Sequence, residues 1–135
     1  MKKSQKSKGK KEINVGGSSV QSLLKKAVEQ HESGKLYPAE TLYKQVVKIQ
    51  PNHLNANVAL AEILQAENKL DEAIEAYKKV LKLQPNNQIA VVALNNLGNA
   101  FKEKGKLDEA VEYYQQALKI KPDADVYNNL ATTLS

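Results

Sequence analysis

Residues 94–122 read LNNLGNAFKEKGKLDEAVEYYQQALKIKP. Leu94, Leu97 and Phe101 recur at three- and four-residue intervals, the spacing that puts apolar side chains on one face of a helix. Lys104-Gly105-Lys106-Leu107 then interrupts the pattern, and Ala110, Tyr114 and Ala117 restore it before Pro122 ends the run. Proline disfavours the α conformation in the residue before it, so the stretch predicts helix, tight turn, helix.

Working outward, the same unit recurs. Pro51 and Pro85 lie 34 residues apart and Pro122 follows 37 after Pro85, each closing a helical run. Counted back from the prolines, Ser33-Gly34-Lys35-Leu36 and Glu67-Asn68-Lys69-Leu70 share the phase of Lys104-Gly105-Lys106-Leu107. Gly, Asn and Gly tolerate the left-handed conformation that ends one helix before the next begins. Small residues recur as well: Ala27, Ala61 and Gly98 in the first helices, and Ala39, Ala73 and Ala110 in the second. Small facing small permits close helix packing, and Tyr43, Tyr77 and Tyr114, one turn beyond the second set, are expected to fill the space between pairs.

Helix starts are marked too. Asp71-Glu72 and Asp108-Glu109 place acids at positive helix ends, Tyr37-Pro38 puts proline at a first helical position, and Ser18 with Gln21 forms a capping-box pattern before Val20. The three surplus residues before the third unit, in the stretch Asn86-Asn87-Gln88-Ile89-Ala90, predict about one added helical turn and a local change of superhelix.

These residues resemble the tetratricopeptide-repeat family over about residues 20–135. The third unit carries the likeness most fully through Leu94, Leu97-Gly98, Phe101, Gly105, Ala110, Tyr114, Ala117 and Pro122. The second follows with Leu60-Ala61, Leu64, Ala73, Tyr77, Val80 and Pro85, and the first with Ala27, Gly34, Ala39, Tyr43, Val46 and Pro51. The resemblance implies an all-α fold, a right-handed α-solenoid of antiparallel helix pairs with about three and a half units. The expected divisions are a basic tail and Gly/Ser linker over 1–19, units over 20–53, 54–87 and 88–123, and the first helix of a fourth over 124–135. As a cap, that last helix would bury Val126, Tyr127, Leu130, Ala131 and Leu134. The alternative to a cap is the start of a longer array or of a multidomain protein, which the lack of the charged outer face of a terminal repeat favours.

The resemblance also implies a concave groove lined by the first helices. Its phases fall on Gln21, Leu24, Lys25 and Val28, on Asn55, Val58, Ala59 and Glu62, on Val92, Asn95, Asn96 and Asn99, and on Asn128, Asn129 and Thr132. The C-terminal half is dense in carboxamides, each both donor and acceptor, which suits an extended peptide backbone. Asn96 and Asn129 share one phase, similar to the asparagine ladder of the O-linked N-acetylglucosamine transferases, whereas Lys25 and Ala59 hold that phase in units one and two. The two-carboxylate clamp of chaperone-binding repeats is absent: Lys25, Ala59 and Asn96, with Gln21, Asn55 and Val92, do not supply it. The candidate binding residues are therefore Lys25, Val28, Asn55, Glu62, Asn95, Asn96, Asn99, Asn128, Asn129 and Thr132.

Composition bounds the rest. Of the 135 residues none is cysteine, which removes disulfides, Cys-ligated zinc and thiol nucleophiles. The net charge of +5 belongs to residues 1–12, where six of the twenty lysines face one of the fifteen acids, leaving fourteen of each sign elsewhere. Nucleic-acid binding is thus expected only through that tail, and the absence of arginine removes the residue best suited to bidentate phosphate recognition. His31 and His53 fall on different elements and read as solvated residues rather than metal ligands. Phosphate loops, catalytic triads and paired-carboxylate sites are missing, and no run is long and apolar enough for a membrane span. The expectation is a cytoplasmic protein-protein interaction scaffold, not an enzyme, with no cofactor, holding an extended segment of a partner. The alternative is the substrate-targeting region of a larger enzyme such as a glycosyltransferase.

Overall fold

The computed structural model describes residues 19–135, so the basic tail, the linker up to Ser18 and the capping box starting at Ser18 lie outside the described residues. Seven helices follow: α1 Val20–Glu32, α2 Leu36–Ile49, α3 Leu54–Ala66, α4 Leu70–Lys82, α5 Asn87–Glu103, α6 Leu107–Ile120 and α7 Ala124–Leu134. No strand occurs among the described residues. The described residues fall into two compact units, one up to Ala56 and one over Asn57–Ser135, the boundary falling within α3.

The tight turns form as their residue types demand. Gly34, Asn68 and Gly105 have φ of 78°, 64° and 81°. After each, a lysine N–H reaches back to a carbonyl five residues earlier: Lys35 to Gln30 at 2.9 Å, Lys69 to Leu64 at 2.9 Å and Lys106 to Phe101 at 2.8 Å. This bond and the left-handed residue before it define a Schellman ending, which satisfies carbonyls that the helix leaves over. Those lysines lead directly into α2, α4 and α6, none of which has a side-chain cap. Acids Asp71, Glu72, Asp108 and Glu109 occupy the first turns of α4 and α6 instead. Pro38 is the third residue of α2 rather than the first. It still lies in the first turn, where its missing N–H would have had no intrahelical partner.

The other junctions use side-chain caps. His53 Nδ1 accepts from Ala56 N at 3.1 Å, Asn86 Oδ1 from Ile89 N at 2.8 Å and Asp123 Oδ1 from Val126 N at 3.1 Å. Each acceptor satisfies an orphan N–H at the start of α3, α5 or α7. His53 is therefore a helix cap, and His31 meets Tyr43 edge-on at 6.3 Å between ring centroids, so neither histidine is merely solvated. The surplus residues before the third unit lengthen its first helix as expected: α5 has 17 residues where α3 has 13. Gln84, just before Pro85, takes φ 56°, a left-handed residue that the repeat phase did not predict.

In the first unit α1 and α2 pack through Val20, Ala27, Ala39, Tyr43 and Val46, all buried. In the second, Val91, Leu94, Ala110, Tyr114, Ala117 and Val126 form a core that Leu81, Phe101, Tyr113, Leu118 and Leu130 partly cover. Tyr113 stacks on Phe101 at 5.3 Å. Gly98 is required by close approach: a Cβ there would stand 2.7 Å from Tyr114 Cδ1 and 2.8 Å from Cζ. The ring of Tyr114 thus lies on the Gly98 backbone. In α7, Val126 is buried and Leu130 half-buried, whereas Tyr127, Ala131 and Leu134 remain exposed. Three of the five residues that a cap would bury are therefore uncovered.

Candidate functional site: a carboxamide-lined cleft

The second unit contains a cleft of about 990 Å³. Glu62, Gln65 and Ala66 from the end of α3 and Asn68 from the turn line one side, with Tyr77 of α4. Asn96, Asn99, Lys102 and Glu103 of α5 and Asn129 of α7 line the rest. Helical phase explains the grouping: Asn96, Asn99 and Glu103 are spaced by three and four residues and so share one face.

The polar atoms are linked. The Tyr77 hydroxyl donates to Gln65 Oε1 at 2.9 Å, and Gln65 Nε2 donates to the Asn96 carbonyl at 3.4 Å. The Tyr114 hydroxyl donates to Asn99 Oδ1 at 2.5 Å. Asn129 Nδ2 donates to Asn95 Oδ1 at 3.0 Å, and Lys102 Nζ donates to Thr132 Oγ1 at 3.1 Å. Burial pushes the Tyr77 phenol above its ordinary value, the charge of Glu62 adds to the rise, the Asn96 side chain opposes it and Glu103 adds again. Burial also raises Tyr114, against the pull of the Thr133 hydroxyl and with help from Glu103. Both phenols therefore remain protonated donors at neutral pH.

Of the residues expected from sequence, Glu62, Asn96, Asn99 and Asn129 meet in this cleft, and Asn95 and Thr132, outside the lining, bond to two of its residues, Asn129 and Lys102. Asn128 is exposed on α7 and is not part of the lining. Lys25 and Val28 lie in the first unit, where with Gln21, Leu24 and Glu29 they border a groove of about 450 Å³ on α1. Asn55, in the first turn of α3, is exposed in that same unit. Sequence reasoning missed Gln65, Asn68, Tyr77, Lys102 and Glu103. Gln65 and Lys102 share a phase one turn beyond Ala61 and Gly98, a regularity that could have pointed to them.

Among the described residues no group of three or more His, Cys, Asp or Glu is placed to hold a metal, and no helix is long and apolar enough to cross a membrane.

Helix pairs with Schellman turns, small residues at matched phases and a buried tyrosine in each pair define a helical-repeat protein. The chain belongs to the tetratricopeptide-repeat family, whose model matches residues 52–123, more than half the sequence. No curated protein matches it significantly. Among solved structures, it is similar to the Yersinia enterocolitica type III secretion chaperone SycD in complex with a peptide of the translocator YopD. The identity is 18%, the coverage 87% of this chain and 93% of that one, and the TM-score 0.78. The first tetratricopeptide domain of Spaghetti (RPAP3), bound to the HSP90 peptide SRMEEVD, is 21% identical over 84% of this chain and 89% of that one, with TM-score 0.75. An O-GlcNAc transferase of Thermobaculum terrenum is 22% identical over 88% of this chain but only 22% of that one, with TM-score 0.74. At these identities the likeness is one of fold.

Proposed function

We propose that the protein is an interaction scaffold whose second unit binds an extended segment of a partner polypeptide in the carboxamide cleft. The observation that carries this reading is the convergence of Gln65, Asn96, Asn99 and Asn129 on one concave site with no catalytic constellation beside it. Carboxamides hydrogen-bond peptide groups of either polarity, so such a site grips a main chain whatever its side chains are. Structural relatives that hold peptides, the SycD complex and the Spaghetti domain, support the reading by analogy of fold. The cleft carries Glu62 and Glu103 against Lys102, which disfavours an acidic segment of the SRMEEVD kind.

The test is selection of random peptides on the full chain, followed by calorimetry with the double variant Asn96→Ala, Asn129→Ala. Loss of two hydrogen-bonding positions at the net worth of such bonds weakens binding by about tenfold or more. A selected peptide that binds the double variant with undiminished affinity places the working surface elsewhere.

A further inference from the structure

Of three carboxamides in the cleft, Asn99 and Asn129 have one end taken by a group outside the lining, and Gln65 has both ends engaged, its Nε2 with the Asn96 main-chain carbonyl. Asn99 Oδ1 accepts from Tyr114, Gln65 Oε1 from Tyr77, and Asn129 Nδ2 donates to Asn95. Neither Tyr114 nor Asn95 lines the cleft. An amide group is planar and has a distinct donor and acceptor end, so tying one end decides which end faces the ligand.

We propose that Tyr114 and Asn95 are positioning residues that fix the polarity of the cleft, so that Asn99 presents N–H donors to a partner's main-chain carbonyl and Asn129 presents its oxygen to a main-chain N–H. This deepens the peptide-binding reading above and rests on it for its ligand. The phenol is suited to the task because it is wholly buried on the Gly98 backbone and cannot rotate away. Its hydroxyl donates to an oxygen here, which turns the Asn99 NH₂ toward the opening. Asn129 has one N–H engaged with Asn95, leaving Oδ1 as its open acceptor. An extended peptide offers carbonyl and N–H groups in alternation, and a site with both polarities set in advance avoids the cost of ordering its side chains on binding. The repeat's tyrosine thereby does more than fill space: its ring packs the helices while its hydroxyl aims a binding group.

The experiment uses the full chain with Tyr114→Phe, which keeps the ring and removes the hydroxyl. Tyr113→Phe, on the same helix and stacked on Phe101, serves as control. The first readout needs no ligand: the side-chain NH₂ resonances of Asn99 in a ¹⁵N–¹H correlation spectrum. They are expected to move and broaden in Tyr114→Phe and to stay in place in Tyr113→Phe. The second readout is affinity for a peptide selected on the wild-type chain, expected to fall roughly three- to tenfold in Tyr114→Phe, the scale of one hydrogen bond. Asn99→Asp retains an acceptor for the phenol but has no donor, so it is expected to lose at least as much affinity while keeping its melting temperature. Unmoved Asn99 resonances in Tyr114→Phe overturn the proposal, as does unchanged affinity in that variant when Asn96→Ala, Asn129→Ala abolishes binding. If no peptide is selected at all, the binding reading fails, and the resonances by themselves decide whether Tyr114 orients Asn99.

Discussion

Tyr43 in the first unit and Tyr77 and Tyr114 in the second occupy one repeat phase and are all buried, yet their neighbours differ. One turn beyond the small residue of the paired helix, the first unit has His31, whose ring meets Tyr43 edge-on. The second unit has Gln65 at that phase, and it accepts the Tyr77 hydroxyl. At the position following the small residue stand Val28, Glu62 and Asn99 in turn, and Asn99 takes the hydroxyl of the facing Tyr114. The accompanying surfaces follow the same division. Leu24 and Val28, with Lys25, border an apolar-walled groove on α1, while carboxamides line the cleft of the second unit. The repeat keeps a ring in a slot, and the residues beside the slot set the surroundings that each phenol meets.

The largest expected effect tests the packing half of that comparison. Tyr114→Ala removes a fully buried ring from the second unit's core and is expected to cost about 3–5 kcal/mol in urea unfolding. Tyr127→Ala, on the exposed face of α7, is expected to cost less than about 0.5 kcal/mol. Equal losses would mean that burial does not rank these tyrosines.

Gly98→Val comes next. Its branched side chain must enter space held by the Tyr114 ring, and overpacking of this kind costs about 1–3 kcal/mol or more. The first unit has alanine at the matching phase, so Ala27→Gly is expected to cost only about 1 kcal/mol, mainly through helix propensity. A valine at 98 without penalty in thermal melts would show that the ring does not rest on that backbone.

Alkaline pH separates the polar network from the packing. Tyr77 has a folded-state pKa raised above the ordinary 10.0, so its contribution to stability is complete below pH 10 and is lost as pH rises beyond it. Melting temperatures taken across this range are expected to decline, and Tyr77→Phe is expected to flatten the decline. An unchanged slope in that variant would assign the alkaline loss to other groups, Tyr114 among them. The smallest effect concerns the junction between repeats. Asn86→Ala deletes the side-chain cap of α5 and is expected to lower stability by about 1 kcal/mol in the same unfolding assay.

Much of this architecture was legible in the chain. Pro51, Pro85 and Pro122 set the phase, and Gly34, Asn68 and Gly105 lie where left-handed backbone was needed, because these are local steric requirements with few permitted residues. The added turn of α5 was readable as a count. Caps at His53, Asn86 and Asp123 were less so, since an acceptor at a helix start is recognisable only when the start itself is known to within a residue. The left-handed Gln84 before Pro85 was not foreseen, as glutamine has no marked preference for that region.

For the candidate site the boundary between the two sources is sharp. The resemblance to the repeat family assigned Glu62, Asn96, Asn99 and Asn129 to the groove face of the first helices, because side-chain direction in a helix follows from position in the repeat. It put Asn96 and Asn129 at one phase but did not foresee the bond from Asn129 to Asn95, and it left Gln65, Tyr77 and Lys102 out. A shift of one residue turns a side chain by about 100° around the helix, so partners across helices depend on axial offset and crossing geometry, which no single helix encodes. The sequence by itself determined the repeat, its turns and its polar face; which amide end meets which hydroxyl was decided only when the helices packed.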